Sequence, residues 1–87
     1  MTKNKATKVA EKFNALYFLD DMDSITSSVL PAAIEEDSNR DFDVIISTEG
    51  RIFSYRTMKI AMRVCSMYHL MLFVLDSSNG LHIYIHS

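Results

Sequence analysis

Cysteine, proline and glycine are scarce in this sequence: its 87 residues include one cysteine, one proline and two glycines. A single cysteine excludes an internal disulfide scaffold and any zinc site built from several thiolates. The low proline and glycine content excludes collagen-like and linker-rich chains, and the hydrophobic fraction of 48% excludes a disordered one. The longest apolar run, Leu70 to Leu75, has six residues, far fewer than the ~18 of a membrane span.

We also expect no secretory signal, because no apolar stretch follows the N-terminal lysines. Together with the lone thiol, this predicts a soluble protein of a reducing compartment, the cytoplasm, without membrane association. A domain of this length buries only about 60–65% of the surface of its unfolded chain. A second subunit is therefore one way for it to gain stability.

Charge is strongly segregated along the chain although the net charge is only −2. Residues 1–19 carry four lysines against one glutamate, a net +3. Residues 20–50 carry nine acids against one arginine, a net −8, and residues 51–87 return to +3. Such segregation creates a field that can steer partners, or it lets the acidic segment pack against the two basic ones within one fold.

Two segments have the apolar periodicity of amphipathic helices. In residues 4–19 apolar side chains recur every three or four positions, and neither glycine nor proline interrupts them. In residues 55–68 the polar stripe is narrow. We therefore expect the second helix to be buried on more than one side, or to contact another chain.

Residues 20–41, between the first helix and the first predicted strand, are harder to assign. Asp23 or Ser24 could cap a short helix that runs to Leu30. Pro31 suits the first turn of a further helix that includes the two glutamates after it, and we expect helix there. Residues 37–41 are mostly Asp, Ser and Asn, which favour a loop.

The next stretch predicts a first pair of strands. Residues 42–48 are rich in β-branched side chains and predict a strand. Glu49-Gly50 predicts a turn, and residues 51–54 predict a short returning strand.

A second pair of strands surrounds Asn79-Gly80, which is the strongest hairpin signal in the chain. Residues 69–76 contain a continuous apolar run, typical of a strand buried on both faces. Residues 81–86 alternate between apolar and polar side chains. With Asn79-Gly80 as the turn, Leu75 faces Tyr84 and Phe73 faces His86.

This hairpin has one core face and one unusual face. The core face holds Leu70, Leu72, Val74, Leu81, Ile83 and Ile85. The second face, too apolar to be simply solvated, holds Met71, Phe73, Leu75, His82, Tyr84 and His86. The element order α-(α)-β-β-α-β-β predicts one α+β domain over residues 1–87, with a mixed or antiparallel sheet and helices on at least one face. Its acidic segment 20–43 is rich in loop-forming residues and could be mobile, and the sequence leaves open whether residues 20–41 are helical or become ordered only on binding.

Catalytic and metal-binding arrangements are weak in this sequence. His82 and His86 lie ~13 Å apart along one strand, too far to share one zinc ion. Cys65 lies on an apolar side of a helix, where a thiol is inert. The acidic runs fail the EF-hand spacing, and the two glycines form no phosphate-binding pattern. We expect no enzyme, no cofactor and no metal site.

Two charged surfaces remain as candidate binding sites. The acidic set, which we predict to contact a basic partner protein, is Asp20, Asp21, Asp23, Glu35, Glu36, Asp37 and Asp41. The basic set, an alternative site for nucleic acid, is Lys5, Lys8, Lys12, Arg56, Lys59 and Arg63. A pI near 5.8 disfavours the nucleic-acid alternative.

Self-association is the third candidate property. Four of the six methionines lie between Met58 and Met71 and supply adaptable apolar surface. We predict a homodimer formed either through this methionine-rich helix or through a sheet face made of Met71, Phe73, Leu75 and Tyr84. The leading hypothesis is a small non-catalytic interaction protein, a regulator or inhibitor that dimerises and binds a basic protein.

Overall fold

A computed structural model describes residues 1–19, 31–47, 55–78 and 80–87 of the chain. Its helices and strands, in chain order, are α1 (Lys3–Leu19), β1 (Ala32–Glu36), β2 (Phe42–Ser47), α2 (Tyr55–Tyr68), β3 (Met71–Ser77) and β4 (Gly80–His86). The strands form one four-stranded sheet in the order β1-β2-β4-β3, and every neighbouring pair is antiparallel. The predicted α+β class is confirmed, and of the two predicted sheet types the sheet is the antiparallel one.

Both helices pack on the same face of the sheet and form the core with it. Helix α1 contacts β1, β2 and α2, and helix α2 contacts β3 and β4. The inward side chains of the strands alternate as a half-buried sheet requires. The largest fully buried side chains are Val9, Phe13, Val44, Ile46, Val64, Ile83 and Ile85.

The two predicted helices are confirmed, but α2 buries less of its surface than expected. Its buried residues are Thr57, Ala61, Val64 and Cys65, which form one face. Met62 and Met67 are exposed, so α2 is not buried on more than one side within this chain. The alternative expectation, that α2 also contacts another chain, is not tested.

The end of α2 is formed by His69, a residue predicted to begin the following strand. His69 adopts a left-handed conformation with φ of 55°. The next amide, Leu70 N, donates to the carbonyl oxygen of Cys65 at 2.9 Å. This is the long hydrogen bond of a Schellman motif, which stops a helix and satisfies one of its last carbonyls.

The expected helix after Pro31 is wrong, because residues 32–36 form β1. Ala32 pairs with Ile46 and Ile34 pairs with Val44, so β1 alternates one side chain toward the core and one away from it. The N–H and the C=O of Ala32 also both form hydrogen bonds with the side-chain amide of Asn14 in α1. Pairing with β2 and with this amide satisfies the backbone, and that tertiary context overrides the helix propensity of a short alanine and glutamate run.

The register of the β3–β4 hairpin also differs from the prediction. Ser77 pairs with Gly80, so Phe73 faces Tyr84 rather than His86, and Leu75 faces His82. Gly80 has a φ of 109°, a conformation that glycine adopts without steric cost, and the ladder begins at this residue. In each observed pair the β4 residue differs from the predicted one by two positions, so every side chain stays on its predicted face.

Three further predictions lie outside the described residues: the short helix from Asp23 or Ser24 to Leu30, the Glu49-Gly50 turn, and the strand over residues 51–54.

Candidate interaction surfaces

The sheet face opposite the helices is the first candidate surface, and we call it the open face. The strand register assigns to it Ala33, Glu35, Asp43, Ile45, Ser47, Met71, Phe73, Leu75, His82, Tyr84 and His86. Neither of the two described helices covers it, because both pack on the other face.

The centre of the open face is a group of stacked rings. Phe73 and Tyr84, paired across β3 and β4, lie parallel with ring centroids 5.1 Å apart. The ring of His86 meets Phe73 edge-on at 5.2 Å. Ile45 continues the row next to Tyr84 on β2. Stacked aromatic pairs of this kind gain about 0.5–1.5 kcal/mol beyond the burial of their area, so the rings hold one another in place.

Exposed apolar side chains flank this ring group. Met71 is 62% exposed, Leu75 48% and Phe73 39%. The structure therefore brings Met71, Phe73, Leu75 and Tyr84 together on one face, as the sequence pattern predicted. A contiguous exposed apolar patch on a small protein marks an interaction site more often than scattered apolar residues do.

The edge of the sheet at β3 is the second candidate surface. The prediction that this run is buried on both faces is wrong, because several of its side chains are exposed and, among the described strands, β3 lies at the end of the order and pairs with β4 alone. Val74 points to the helix-covered face and is still 39% exposed. Helix α2 thus covers β3 incompletely, and the edge strand exposes apolar side chains on both of its faces.

Polar groups border the ring group on the β1 and β2 side. Glu35 and Asp43 form a cross-strand pair on the open face. Partial burial, and then the negative charges of these two carboxylates, raise the pKa of the Tyr84 phenol. The open face thus combines an apolar half near β3 with an acidic half near β1.

A serine and a histidine also meet on this face. Ser47 Oγ and His82 Nδ1 are 3.1 Å apart across β2 and β4. A nucleophile and base pair of this type requires a third group that orients the imidazole. Among the described residues, the hydrogen-bond partner found for the His82 ring is Ser47, and no third group is seen to orient the imidazole. We interpret the contact as a cross-strand hydrogen bond that links the two strands.

The acidic set is split between two parts of the chain. Glu35, Glu36, Asp37 and Asp41 are exposed on β1 and on the turn that follows it. Asp37 shapes this turn, because its Oδ1 accepts hydrogen bonds from Asn39 N at 2.8 Å and from Asp41 N at 3.0 Å. The remaining members, Asp20, Asp21 and Asp23, lie outside the described residues.

The residues of the basic set do not all lie exposed on one continuous surface. On α1, Lys5 and Lys8 are exposed and Lys12 is half-buried, and on α2 Lys59 and Arg63 are exposed. Arg56, in contrast, is engaged within the fold. Its guanidinium donates to the carbonyl oxygen of Tyr17 and lies over the Tyr17 ring, 4.9 Å from the ring centroid. Arg56 joins the end of α1 to the start of α2, a structural role that the sequence analysis did not assign to it.

Metal and thiol chemistry find little support in the described parts of the chain. No group of three or more His, Cys, Asp or Glu side chains there could hold a metal ion. Cys65 is buried, and burial raises the pKa of its thiol, which keeps it in the unreactive protonated form. Neither described helix has the length and apolar content needed to cross a membrane.

Asn14 is a structural residue that the sequence analysis missed. It is buried at the interface of α1 and β1, and its Nδ2 donates to Ala32 O at 3.1 Å. Its Oδ1 accepts from Ala32 N at 3.0 Å, so the amide pairs with the backbone as a neighbouring strand would. The available signal was an amide four residues after Ala10, on the apolar side of the helix, where a buried polar group needs a partner.

Comparisons of the chain with protein-family models, with curated proteins and with solved structures found no match.

Proposed function

We propose that the chain is a small non-catalytic protein–protein interaction module of the cytoplasm, a regulator or inhibitor. It self-associates through the apolar half of the open face and presents its acidic set to a basic partner protein. The observation that carries the proposal is the ring stack of Phe73 and Tyr84 next to exposed Met71 and Leu75, on a sheet face that neither described helix covers.

Burial of this patch is favourable because each square ångström of apolar surface removed from water contributes about 25 cal/mol. Aromatic and methionine side chains are enriched in interface cores, whereas aspartate, glutamate and lysine are depleted there. The apolar half of the open face has this composition, and the acidic half has the composition of an interface rim.

The acidic set supports the second part of the proposal. Glu35, Glu36 and Asp41 are exposed and lie close together in sequence on one edge of the sheet. Clustered carboxylates attract a positively charged partner and accelerate the encounter without any catalytic residue. The positive charges of α1 and α2, opposite in sign to the acidic set, then orient the molecule in the field of that partner.

Self-association is tested by the molar mass in solution. Sedimentation equilibrium of the wild type is expected to give a mass near twice 10.0 kDa, and Phe73→Ser with Tyr84→Ser is expected to give the monomer mass. Tyr55→Ser is the matched control, because Tyr55 is 78% exposed at the start of α2, away from the open face. A wild-type monomer at high concentration rejects self-association.

The acidic surface is tested by affinity capture from nuclease-treated lysate of the natural host, eluted with rising salt. We expect a basic protein to be retained and to leave at moderate salt, because exposed charges are screened. The matched bait is the triple variant Glu35→Gln, Glu36→Gln and Asp41→Asn. Equal retention of the same protein by both baits rejects this part of the proposal.

Binding of a single-stranded nucleic acid is a second candidate, favoured by the exposed rings on an open four-stranded sheet. Bases stack on such rings with about 1–3 kcal/mol each. The carboxylates of Glu35 and Asp43 on the same face oppose a phosphate backbone, which makes this the weaker candidate. A mobility shift that weakens with salt and with Phe73→Leu on the open face, but not with Lys3→Glu on α1, which packs on the other face of the sheet, supports it. Absence of a shift at low salt rejects it.

A further inference from the structure

We infer that the outer edge of β3, which no described strand covers, pairs with β3 of a second copy of this chain, antiparallel and about a two-fold axis. The two four-stranded sheets then form one continuous eight-stranded sheet. This inference rests on the proposed self-association but moves its contact to the β3 edge, where Phe73 and Leu75 lie, so that the two copies pair edge to edge and do not stack their open faces.

The two edges of the sheet differ in how well they are protected. Proteins prevent unwanted strand pairing by placing proline and charged residues on exposed edges. The β1 edge follows Pro31 and carries Glu35 and Glu36 in five residues. The β3 edge carries one charge, Asp76, in seven residues. An edge left this apolar and this long is one that a partner strand covers.

Exposure on both faces of β3 favours pairing along its edge. Phe73 and Leu75 are exposed on the open face, and Val74 is 39% exposed on the helix-covered face. Stacking of two open faces covers the first two side chains and leaves Val74 in water. A strand placed beside β3 brings new side chains against all three, because neighbouring strands contribute to both faces of a sheet.

The distribution of charge selects a second copy in antiparallel orientation. Parallel pairing of two β3 strands places the two Asp76 carboxylates side by side, and like charges directly opposite each other are destabilising. Antiparallel pairing separates them to opposite ends of the interface. Pairing of β3 with the β1 edge of another copy brings Glu35 and Glu36 to a strand that ends in Asp76, and it generates an open filament instead of a closed dimer.

A register centred on Val74 uses the whole length of β3. The two Val74 side chains then lie side by side on the axis, and Phe73 of each copy lies next to Leu75 of the other. Each Asp76 meets Leu72 of the other copy, so no carboxylate faces another. Directly opposite residues keep to the same face, which leaves the helices of both copies on one side of the joined sheet.

Two lysine variants on opposite faces of the sheet distinguish edge pairing from face stacking. Val74→Lys places a charge on the helix-covered side of the β3 edge. Ile45→Lys, the matched variant, places one at the centre of the open face, two strands from that edge. We expect sedimentation equilibrium to give half the wild-type mass for Val74→Lys and an unchanged mass for Ile45→Lys. The reverse result, a Val74→Lys dimer and an Ile45→Lys monomer, overturns the inference but keeps the proposed self-association.

A measurement on the wild type guards against a variant that fails to fold. In hydrogen exchange, the outward-facing amides of β3 are expected to exchange more slowly as protein concentration rises, because the second copy accepts their hydrogen bonds. The β1 edge serves as the internal control and should show no dependence on concentration. A dimer whose β3 amides exchange at the same rate at every concentration overturns edge pairing, and a monomer at all concentrations overturns both the inference and the self-association.

Discussion

At the scale of single residues, Asn14 contributes more to this fold than its place in an amphipathic helix suggests. Its amide is the partner of both the N–H and the C=O of Ala32. We expect Asn14→Ala to lower the free energy of unfolding by about 1–3 kcal/mol, because two buried backbone groups lose their partner. Urea denaturation followed by circular dichroism measures this change.

The control for this prediction is Asn4→Ala, since Asn4 is an exposed residue of the same helix. It is expected to change the free energy of unfolding by less than about 0.5 kcal/mol. Asn14→Asp adds a second test, because a carboxylate can accept from Ala32 N but cannot donate to Ala32 O, so it should also destabilise. Equal stabilities of the Asn4 and Asn14 alanine variants contradict the role of the amide.

Tyr84 provides a prediction about pH. Partial burial, together with the carboxylates of Glu35 and Asp43, raises its pKa in the folded chain. The folded chain therefore keeps the phenolic proton at a pH where the unfolded chain has lost it. Stability due to this group is fully present below the ordinary tyrosine pKa of about 10 and falls as the pH rises above that value.

The test is a titration of tyrosinate absorbance, from which the curve of Tyr84→Phe is subtracted to isolate this side chain. The double variant Glu35→Gln and Asp43→Asn is expected to shift the Tyr84 titration to lower pH. Glu36→Gln is the control, because Glu36 lies on the opposite face of β1. A Tyr84 titration that is the same in the double variant shows that the two carboxylates do not act on this phenol.

At the scale of the elements, the left-handed residue His69 determines where α2 ends. A side chain with a Cβ is disfavoured in this conformation, and glycine removes that cost. Glycine also makes the unfolded chain more flexible, which opposes this gain. His69→Gly is therefore expected to raise the free energy of unfolding by a net amount of about 0.5–1 kcal/mol. His69→Val, whose branched Cβ fits this conformation worst, is expected to lower it by a similar amount.

Thermal or urea unfolding measures both variants, and Ser66→Gly is the positional control. Ser66 is exposed inside α2, where glycine is a poor helix former and is expected to lower stability. If glycine at position 69 also destabilises, the helix terminator derives its stability from the histidine side chain and not from its backbone conformation.

The elements also show what a sequence can predict here. Helix α1 and helix α2 follow from a period of three to four over 14 or more residues, which local side chains determine. Strand β1 is only five residues long, and its conformation depends on β2 and on Asn14, which are distant in sequence. The register of the second hairpin was wrong by two positions because Asn79-Gly80 allows more than one turn.

The candidate surfaces, like the helices and strands, were predicted only in part from the sequence. Alternation along β3 and β4 was sufficient to place Met71, Phe73, Leu75 and Tyr84 on one face. The position of β3 at the sheet edge was not predictable, because a continuous apolar run is expected in a central strand and strand order is a property of the whole fold. Likewise, nothing in the spacing of the basic residues indicates that Arg56 binds the end of α1.

At the scale of the whole molecule, the sheet separates two kinds of surface. One edge carries carboxylates on β1, and the other edge and the adjacent part of the open face carry apolar side chains on β3. A dimer joined at β3 places its two β1 edges at the far ends of the joined sheet. Each dimer would then present two separated acidic surfaces, and two weak contacts with a repetitive or dimeric basic partner would reinforce each other.

The stability of the whole molecule is expected to depend on its own concentration. If the folded state is a dimer, a tenfold rise in concentration raises the midpoint of thermal unfolding by roughly 3–6 °C, because association stabilises only the folded chains. Scanning calorimetry over about two orders of magnitude in concentration measures this shift. Val74→Lys is expected to remove the dependence, whereas Ile45→Lys should retain it, since a charge at the β3 edge blocks pairing and one on the open face does not. A wild-type midpoint that is constant over this range would show that the folded state is a monomer, and it would reject both the edge pairing and the proposed self-association.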